Sequence, residues 1–504
     1  MICNVLEYLE NAKEKFPQKI AFGDVQKSIS YQEVEETAKR IGSGILSEGI
    51  ASGPIVVLAD RDVESLLAFF GIVYAGSFYV PVDKSLPEQR IETILKVTNP
   101  ACVIVQKKDY EFMKKLEFHG KILVLEELME SSVETARLEE IRKNHIDTDP
   151  LYIIFTSGST GVPKGVTISH RSVIDMAEQF TETFKFEEDE VFANQAPFDF
   201  DVSVKDIYLS LKNKGTMYVV PKSMFIMPKK LMEYLEKNRI TTIIWAASAM
   251  GVVCAFKGLE KADLSSLRRV MFSGEVLPVK VLNYWKEHLP ETVFVNLYGP
   301  TEITCNCTYY IVDRNFALED ILPIGQAFKN TRILLLGEDG KEVGKGETGE
   351  ICVVGSSLAL GYYNNEEATQ KAFCQNPLQD LYFEKIYKTG DLGYYNERGE
   401  LVFASRRDHQ IKHMGHRIEL SEIEINVNSI DFVRKCCCVY HKEQEKIVLF
   451  YESEKEEDVK IIQILQEKLP RYMCPNKMQW MEQIPMNSHE KIDRVKLKEL
   501  LLGE

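Results

Sequence analysis

The chain has no apolar run approaching the roughly 18 residues that a membrane-spanning helix needs, which excludes such a helix. At its start, Met1 to Pro17, charges interrupt the apolar spacing of Leu6, Leu9, Ala12 and Phe16, so this stretch reads as an amphipathic helix and not as a signal peptide or anchor. Positive charge is also short. Sixty-one Lys and Arg against 76 Asp and Glu leave a net charge of -15, which argues against a general nucleic-acid binder. Eleven cysteines contain no C-x-x-C pair, so they read as reduced thiols of a cytoplasmic protein rather than a disulfide framework or zinc site. Even Cys436-Cys437-Cys438 makes a poor metal cage, because neighbours on a strand point to opposite faces; the run reads as a strand. There is no internal repeat and no low-complexity linker. What is present, 45% hydrophobic and 27% charged residues over 504 positions, describes a globular chain too long for one core and suited to about three or four structural units.

Short apolar runs separated by helix-length segments recur through the first 300 residues: Pro54 to Ala59, Ala101 to Gln106, Lys121 to Leu125, Met217 to Val220, Thr241 to Ala246, Arg269 to Phe272 and Thr292 to Leu297. That alternation predicts an α/β fold with mainly parallel sheets flanked by helices. From 320 to 405 the texture changes to hairpins, with turns at Glu338-Asp339-Gly340 and Asn396-Glu397-Arg398-Gly399, which predicts an antiparallel β subdomain. After Arg406-Arg407-Asp408 the composition becomes more charged, and the remainder reads as a small α+β domain. The expected division is therefore 1–407 and 408–504.

Residues 152 to 165, Y-I-I-F-T-S-G-S-T-G-V-P-K-G, join an apolar run to a loop dense in hydroxyls and glycines. Gly158, Gly161 and Gly165 let backbone N–H groups converge, and Thr156, Ser157, Ser159, Thr160 and Lys164 add donors and a positive charge, which together suit a phosphate. A polar surface turn is the plainer explanation for any such loop, but this density exceeds what a turn requires. The loop is not G-x-x-x-x-G-K-[ST], since Gly165 follows Lys164. Tyr298-Gly299-Pro300-Thr301-Glu302 projects Thr301 and Glu302 at a strand end, where ligands sit in open sheets. A carboxylate beside phosphates serves as a magnesium ligand. Tyr387-Lys388-Thr389-Gly390-Asp391 similarly presents an aspartate suited to the two hydroxyls of a ribose.

Taken in this order, these segments resemble the acyl-adenylate-forming superfamily, and within it the amino-acid adenylation enzymes. The resemblance runs over nearly the whole chain, through Gly76 to Arg90, Phe200 to Asp206, Gly349 to Phe373, Ser405 to Glu424, Leu469 to Pro475 and Pro485 to Arg494. It implies two steps. A substrate carboxylate attacks the α-phosphate of ATP, with Mg²⁺, to give an acyl-adenylate and pyrophosphate; a thiol then displaces AMP. By the same resemblance Thr156, Ser157, Thr160 and Lys164 hold the β,γ-phosphates, Thr301 the α-phosphate, and Glu302 the Mg²⁺. Asn296 and Tyr298 contact adenine, Asp391 and Arg406 the ribose, and Lys491 bridges carboxylate and adenylate in the first step. Asp408 is the expected hinge of a mobile C-terminal domain, and the loop at Gly415 is expected to meet the pantetheine arm. Ser405 replaces the usual glycine of the hinge motif, and His489-Glu490 replaces the usual N-G before the lysine.

Phe198 to Asp206 resembles the pocket segment in which an aspartate, here Asp201, pairs with the α-ammonium of an amino acid. An ordinary helix N-cap is the alternative for Asp201. The other positions that match the pocket are Val202, Lys205, Ser248, Met271, Ser273, Leu297, Cys305 and Asn306, which suggest a small or polar side chain. Lys205 either faces inward, where it would pair with an acidic substrate such as glutamate or aspartate, or pairs with Asp199 or Asp206. The expected function is a stand-alone, nonribosomal-peptide-synthetase-like ligase that loads an amino acid onto the phosphopantetheine of a separate carrier protein. The D-alanine–carrier protein ligases are an alternative, although they usually carry Cys at the position of Ser273 and an uncharged residue at that of Lys205. An acyl-CoA ligase and a catalytically silent homologue are further alternatives.

Overall fold

The structure is a computed structural model that describes residues 2–158, 161–407, 410–486 and 492–502. Two compact units divide the chain: Met1–Asp83, Thr98–Ile154 and Gly165–Arg407 form the first, and Lys84–Val97, Phe155–Lys164 and Asp408–Glu504 the second.

In the first unit local chemistry sets the element boundaries. The helix Tyr31–Ser47 starts where Ser30 accepts the N–H of Glu33 and the Glu33 carboxylate accepts the N–H of Ser30 at 2.8 Å, a reciprocal cap that satisfies two orphan donors. Asp62 caps the helix Val63–Tyr74 by accepting the Ser65 N–H at 2.9 Å. That helix is buried on every side, as its nearly unbroken apolar sequence requires. The apolar runs become strands of two sheets. One has seven strands in the order Gly361–Tyr362, Lys164–Ser169, Pro150–Thr156, Phe78–Asp83, Pro54–Ala59, Cys102–Val105, Lys121–Val124. The other has nine, in the order Gln326–Ala327, Thr308–Ile311, Val293–Tyr298, Arg269–Ser273, Thr242–Ala246, Val191–Asn194, Thr216–Val219, Ile20–Gly23, Ser28–Ser30.

Side-chain alternation along the nine-stranded sheet feeds two cores. Trp245, Val270, Phe272 and Phe294 pack on one face. Ile244, Met271, Val295 and Leu297 pack on the other, together with Val204, Ile207, Tyr208 and Leu211 of the helix Val202–Lys212. The hairpin texture after residue 320 becomes an antiparallel sheet in which Gly349–Gly355 lies between Thr331–Leu336 and Lys385–Tyr395. Phe373–Gln375 and Leu401–Arg406 both pair with the last of these. The mixed α/β class with an antiparallel subdomain is thus the observed one.

The second unit holds a hairpin, Gln410–His413 with His416–Glu419, that turns through Met414 and Gly415, both at positive φ. Its main sheet is Val433–His441, Lys446–Ser453 and Lys477–Met481. The cysteine run lies on the first of these strands. Cys436 and Cys438 pack into one core and Cys437 into another, as strand alternation requires. Among the described residues no helix is long and apolar enough to cross a membrane.

Candidate active site

Strands Thr242–Ala246, Arg269–Ser273 and Val293–Tyr298 are parallel neighbours, so their carboxyl ends share one edge of the sheet, the place where open α/β sheets bind ligands. The loop after Tyr298 crosses that edge. Gly299 is required there, because a Cβ would stand 2.6 Å from both the Cα of Asn306 and the carbonyl oxygen of Cys305. Thr301 and Glu302 follow in a short 3₁₀ turn, both buried. Thr304 and Cys305 then take left-handed backbone angles, φ 54° and 76°, a strained pair that turns the chain sharply.

That turn brings three elements to one ammonium. Lys205, on the helix Val202–Lys212, donates to Asn306 Oδ1 at 2.7 Å and to Ser273 Oγ at 3.2 Å. Of the two orientations open in the sequence, Lys205 therefore takes the inward one. Its burial lowers its pKa, against the pull of Cys305, Asp201 and Asp206. Asp201 sits at the N-terminus of the same helix with αR backbone angles and no side-chain cap bond, so the N-cap reading fails. Its carbonyl accepts the Cys305 thiol at 2.9 Å. Burial and then Asp201 push that thiol well above the usual range, which keeps it a protonated donor. Val202 is buried beside Asp201, Met271 and Leu297 belong to the core below, and Ser248 is half-buried in the first turn of the helix Ala247–Ala255. Tyr152 was not anticipated. Its hydroxyl is fully buried with no hydrogen-bond partner among the described residues, and Cys305 and Asp201 are among its electrostatic neighbours. The only trace in the sequence is a tyrosine inside an apolar strand.

A second array lies around Asp391. Gly390, at φ 73°, bends the strand Lys385–Tyr395, and the Asp391 N–H donates to Thr389 Oγ1 at 2.9 Å. The carboxylate, 2% exposed, accepts the Tyr298 hydroxyl at 2.6 Å and pairs through its other oxygen with Arg406. Burial and the Asp391 charge push the Tyr298 hydroxyl well up, so it remains a donor. Tyr298, Asp391 and Arg406 are thus brought together. Asn296 gives its side-chain amide to the Pro323 carbonyl at 2.8 Å. Glu302 accepts the Tyr362 hydroxyl at 2.7 Å, a contact that nothing near Glu302 in the sequence announces.

In the second unit, Thr156 is half-buried at the end of the strand Pro150–Thr156 and Lys164, also half-buried, opens the strand Lys164–Ser169. Between them the loop is tight. A Cβ on Gly158 would stand 1.8 Å from the Val162 carbonyl oxygen, and the Gly161 N–H closes on the Gly158 carbonyl at 3.0 Å. Ser157 donates to the Arg417 carbonyl at 2.8 Å, and the Gly158 N–H donates to Glu422 Oε2 at 3.2 Å. Glu422 is fully buried and pairs with Arg90. A loop N–H therefore already donates to a carboxyl oxygen in this structure. Thr160, Asp408, Lys491 and His489-Glu490 lie outside the described residues.

Residues 9–363 match the family of AMP-binding enzymes, and the chain belongs to that family. The protein is an AMP-forming ligase. It is 34% identical over 516 residues to the D-alanine–D-alanyl carrier protein ligase of Bacillus licheniformis, covering 98% of this chain and 99% of that one. It is 30% identical over 501 residues to tyrocidine synthase 1 of Brevibacillus parabrevis, covering 98% of this chain but only 45% of that much longer protein. The fold is that of the Vibrio cholerae adenylation domain AlmE, crystallised with glycyl-adenosine-5'-phosphate, at a TM-score of 0.85 and 23% identity over 100% of this chain and 98% of that one.

Proposed function

We propose that the protein activates an amino acid as its aminoacyl-adenylate, using ATP and releasing pyrophosphate, and then passes it to the phosphopantetheine thiol of a separate carrier protein. The observation that carries the reading is the buried array of Asp391 with Tyr298 and Arg406, in which Tyr298 ends the strand that leads into Thr301 and Glu302 in a chain of the AMP-binding family. A carboxylate fixed from both sides keeps lone pairs for a ribose diol, and its orientation costs nothing at binding. Thr301 is assigned to the α-phosphate. Thr156, Ser157, Thr160 and Lys164 are assigned to the β,γ-phosphates, and Lys491 to the bridge between the substrate carboxylate and the phosphoryl oxygens. Charge moves onto those oxygens during the displacement, so positioned donors and cations lower the barrier.

Glu302, a buried oxygen donor 1% exposed, fits a hard divalent cation that keeps most of its ligands as water and phosphate. Bound there, Mg²⁺ would neutralise charge on the phosphates. Asp201 is assigned to the α-ammonium, supported by its burial at the start of the helix that carries Lys205. Residues 1–407 form the nucleotide and substrate core in this reading, and 408–504 a mobile domain with its hinge at Asp408. A cytoplasmic setting is supported by eleven cysteines, all free.

The test is ATP–pyrophosphate exchange with amino acids of both hands, followed by transfer of the labelled amino acid to a phosphopantetheinylated carrier protein. Exchange that requires the amino acid, and label that a thiol reagent releases from the carrier, are the expected results. AMP release that needs only CoA and a non-amino carboxylic acid would establish a CoA ligase instead. Asp391→Ala is expected to raise KM for ATP roughly tenfold or more, the loss of charge-assisted hydrogen bonds, with KM for the amino acid little changed. An unchanged KM for ATP would remove Asp391 from the ribose site.

A further inference from the structure

The nucleotide does not account for Lys205. Its ammonium is 0% exposed and spends two N–H bonds on neutral acceptors, Asn306 Oδ1 and Ser273 Oγ. Among the described residues no carboxylate forms an ion pair with it. An ammonium has three N–H donors, and among the described residues two of them find acceptors, which leaves the third for a further partner. Two carboxylates, Asp206 and Asp201, act on it electrostatically without an ion pair. Asp206 faces Asn194, whose amide donates to it at 3.0 Å, and burial pushes its carboxyl up to about 8. Asp201 lies one helical turn before Lys205 and so on the same face.

The setting is built, not incidental. The helix Val202–Lys212, the end of the strand Arg269–Ser273 and the loop turned by the left-handed pair Thr304-Cys305 each send one group to this point. A charge held this far from water is costly unless an opposite charge completes it. Hydrogen bonds from Asn306 and Ser273 orient the ammonium without neutralising it.

We propose that Lys205 selects an amino acid with a side-chain carboxylate, glutamate or aspartate, which takes its third N–H while Asp201 takes the α-ammonium. This rests on the adenylating reading above. It also separates the chain from the D-alanyl ligases it resembles in sequence, because alanine would reach neither the charge nor the donor. Glutamine or asparagine would accept the hydrogen bond but leave the charge uncompensated, and a charge-assisted bond is roughly twice as strong as a neutral one.

The experiment is ATP–pyrophosphate exchange by the full-length protein with L- and D-glutamate, aspartate, glutamine, asparagine and alanine, in the wild type and in Lys205→Met. The expected result is a kcat/KM for glutamate or aspartate about tenfold or more above that for the matching amide and for alanine. In Lys205→Met that ratio should collapse toward one. Equal or faster exchange by the wild type with an amide or alanine would overturn the proposal, whatever the variant does. Exchange with no amino acid, in protein that still binds ATP, would overturn the adenylating reading itself, and this proposal with it.

Discussion

At the scale of single residues, the informative groups are buried and titratable. Asp206 is fully buried, with one carboxyl oxygen hydrogen-bonded to Asn194 and the other without a hydrogen-bond partner among the described residues. Burial raises its pKa from 3.8 to about 8. Between those values the unfolded chain has lost the proton and the folded protein still holds it. Stability therefore falls as pH rises across the interval, by about 1.4 kcal/mol per pH unit at most, and is unaffected below it. Asp206→Asn keeps the shape and the Asn194 contact while removing the titration. Its melting temperature is expected to exceed the wild type's by a margin that grows from pH 5.5 to 8. A constant margin, or one that shrinks over that range, would show that Asp206 is ionised in the folded protein.

At the scale of elements, the turn Tyr298 to Asn306 decides whether the strand edge is a site. Gly299→Ala puts a methyl group 2.6 Å from the Asn306 Cα and the Cys305 oxygen, backbone atoms that cannot step aside. The loop must shift, at a cost of about 1–3 kcal/mol of overpacking strain. Because Asn306 orients Lys205, KM for the amino acid should rise more than KM for ATP. A denaturation midpoint and both KM values check this, and a variant matching the wild type in all three would show the turn to be pliable. The strands on either side were legible, because apolar runs of strand length bounded by helix-length segments leave little else to form. Asp391 and Tyr298 were legible as motif residues. The contacts that give the site its chemistry were not. Tyr362 reaches Glu302 across 60 positions, Lys205 reaches Asn306 across 101, and Gly158 reaches Glu422 across 264. Such pairings are set by tertiary packing, and periodicity carries no trace of them. The direction of Lys205 could not be chosen from sequence for the same reason: Asp199 and Asp206 lay close along the chain, whereas Ser273 and Asn306 are close only in space.

At the scale of the whole molecule, the two half-reactions of the proposed reading share one nucleotide site, and the last boundary of the first unit falls between Arg407 and Asp408. Arg407 is fastened on the core side: its N–H donates to the Gly390 carbonyl at 2.8 Å, and its guanidinium reaches Glu350 at 3.3 Å. On the proposed reading, a change in chain direction between the two half-reactions begins after it, at Asp408, the hinge proposed above. Proline at 408 would fix φ near −65°, remove the N–H and hold Arg407 in extended geometry. The adenylating step needs only one arrangement of the chain, so Asp408→Pro is expected to keep amino-acid-dependent pyrophosphate exchange within about threefold, if proline admits that arrangement. Loading of the carrier thiol, which needs the second arrangement, should fall by roughly a hundredfold, about 2.7 kcal/mol of barrier. Asp408→Ala separates the backbone effect from loss of the carboxylate, and should load the carrier far better than the proline variant. Equal loss of both half-reactions in Asp408→Pro, with Asp408→Ala unimpaired, would mean that proline blocks the adenylating arrangement itself, while full loading by Asp408→Pro would place the pivot elsewhere in the chain.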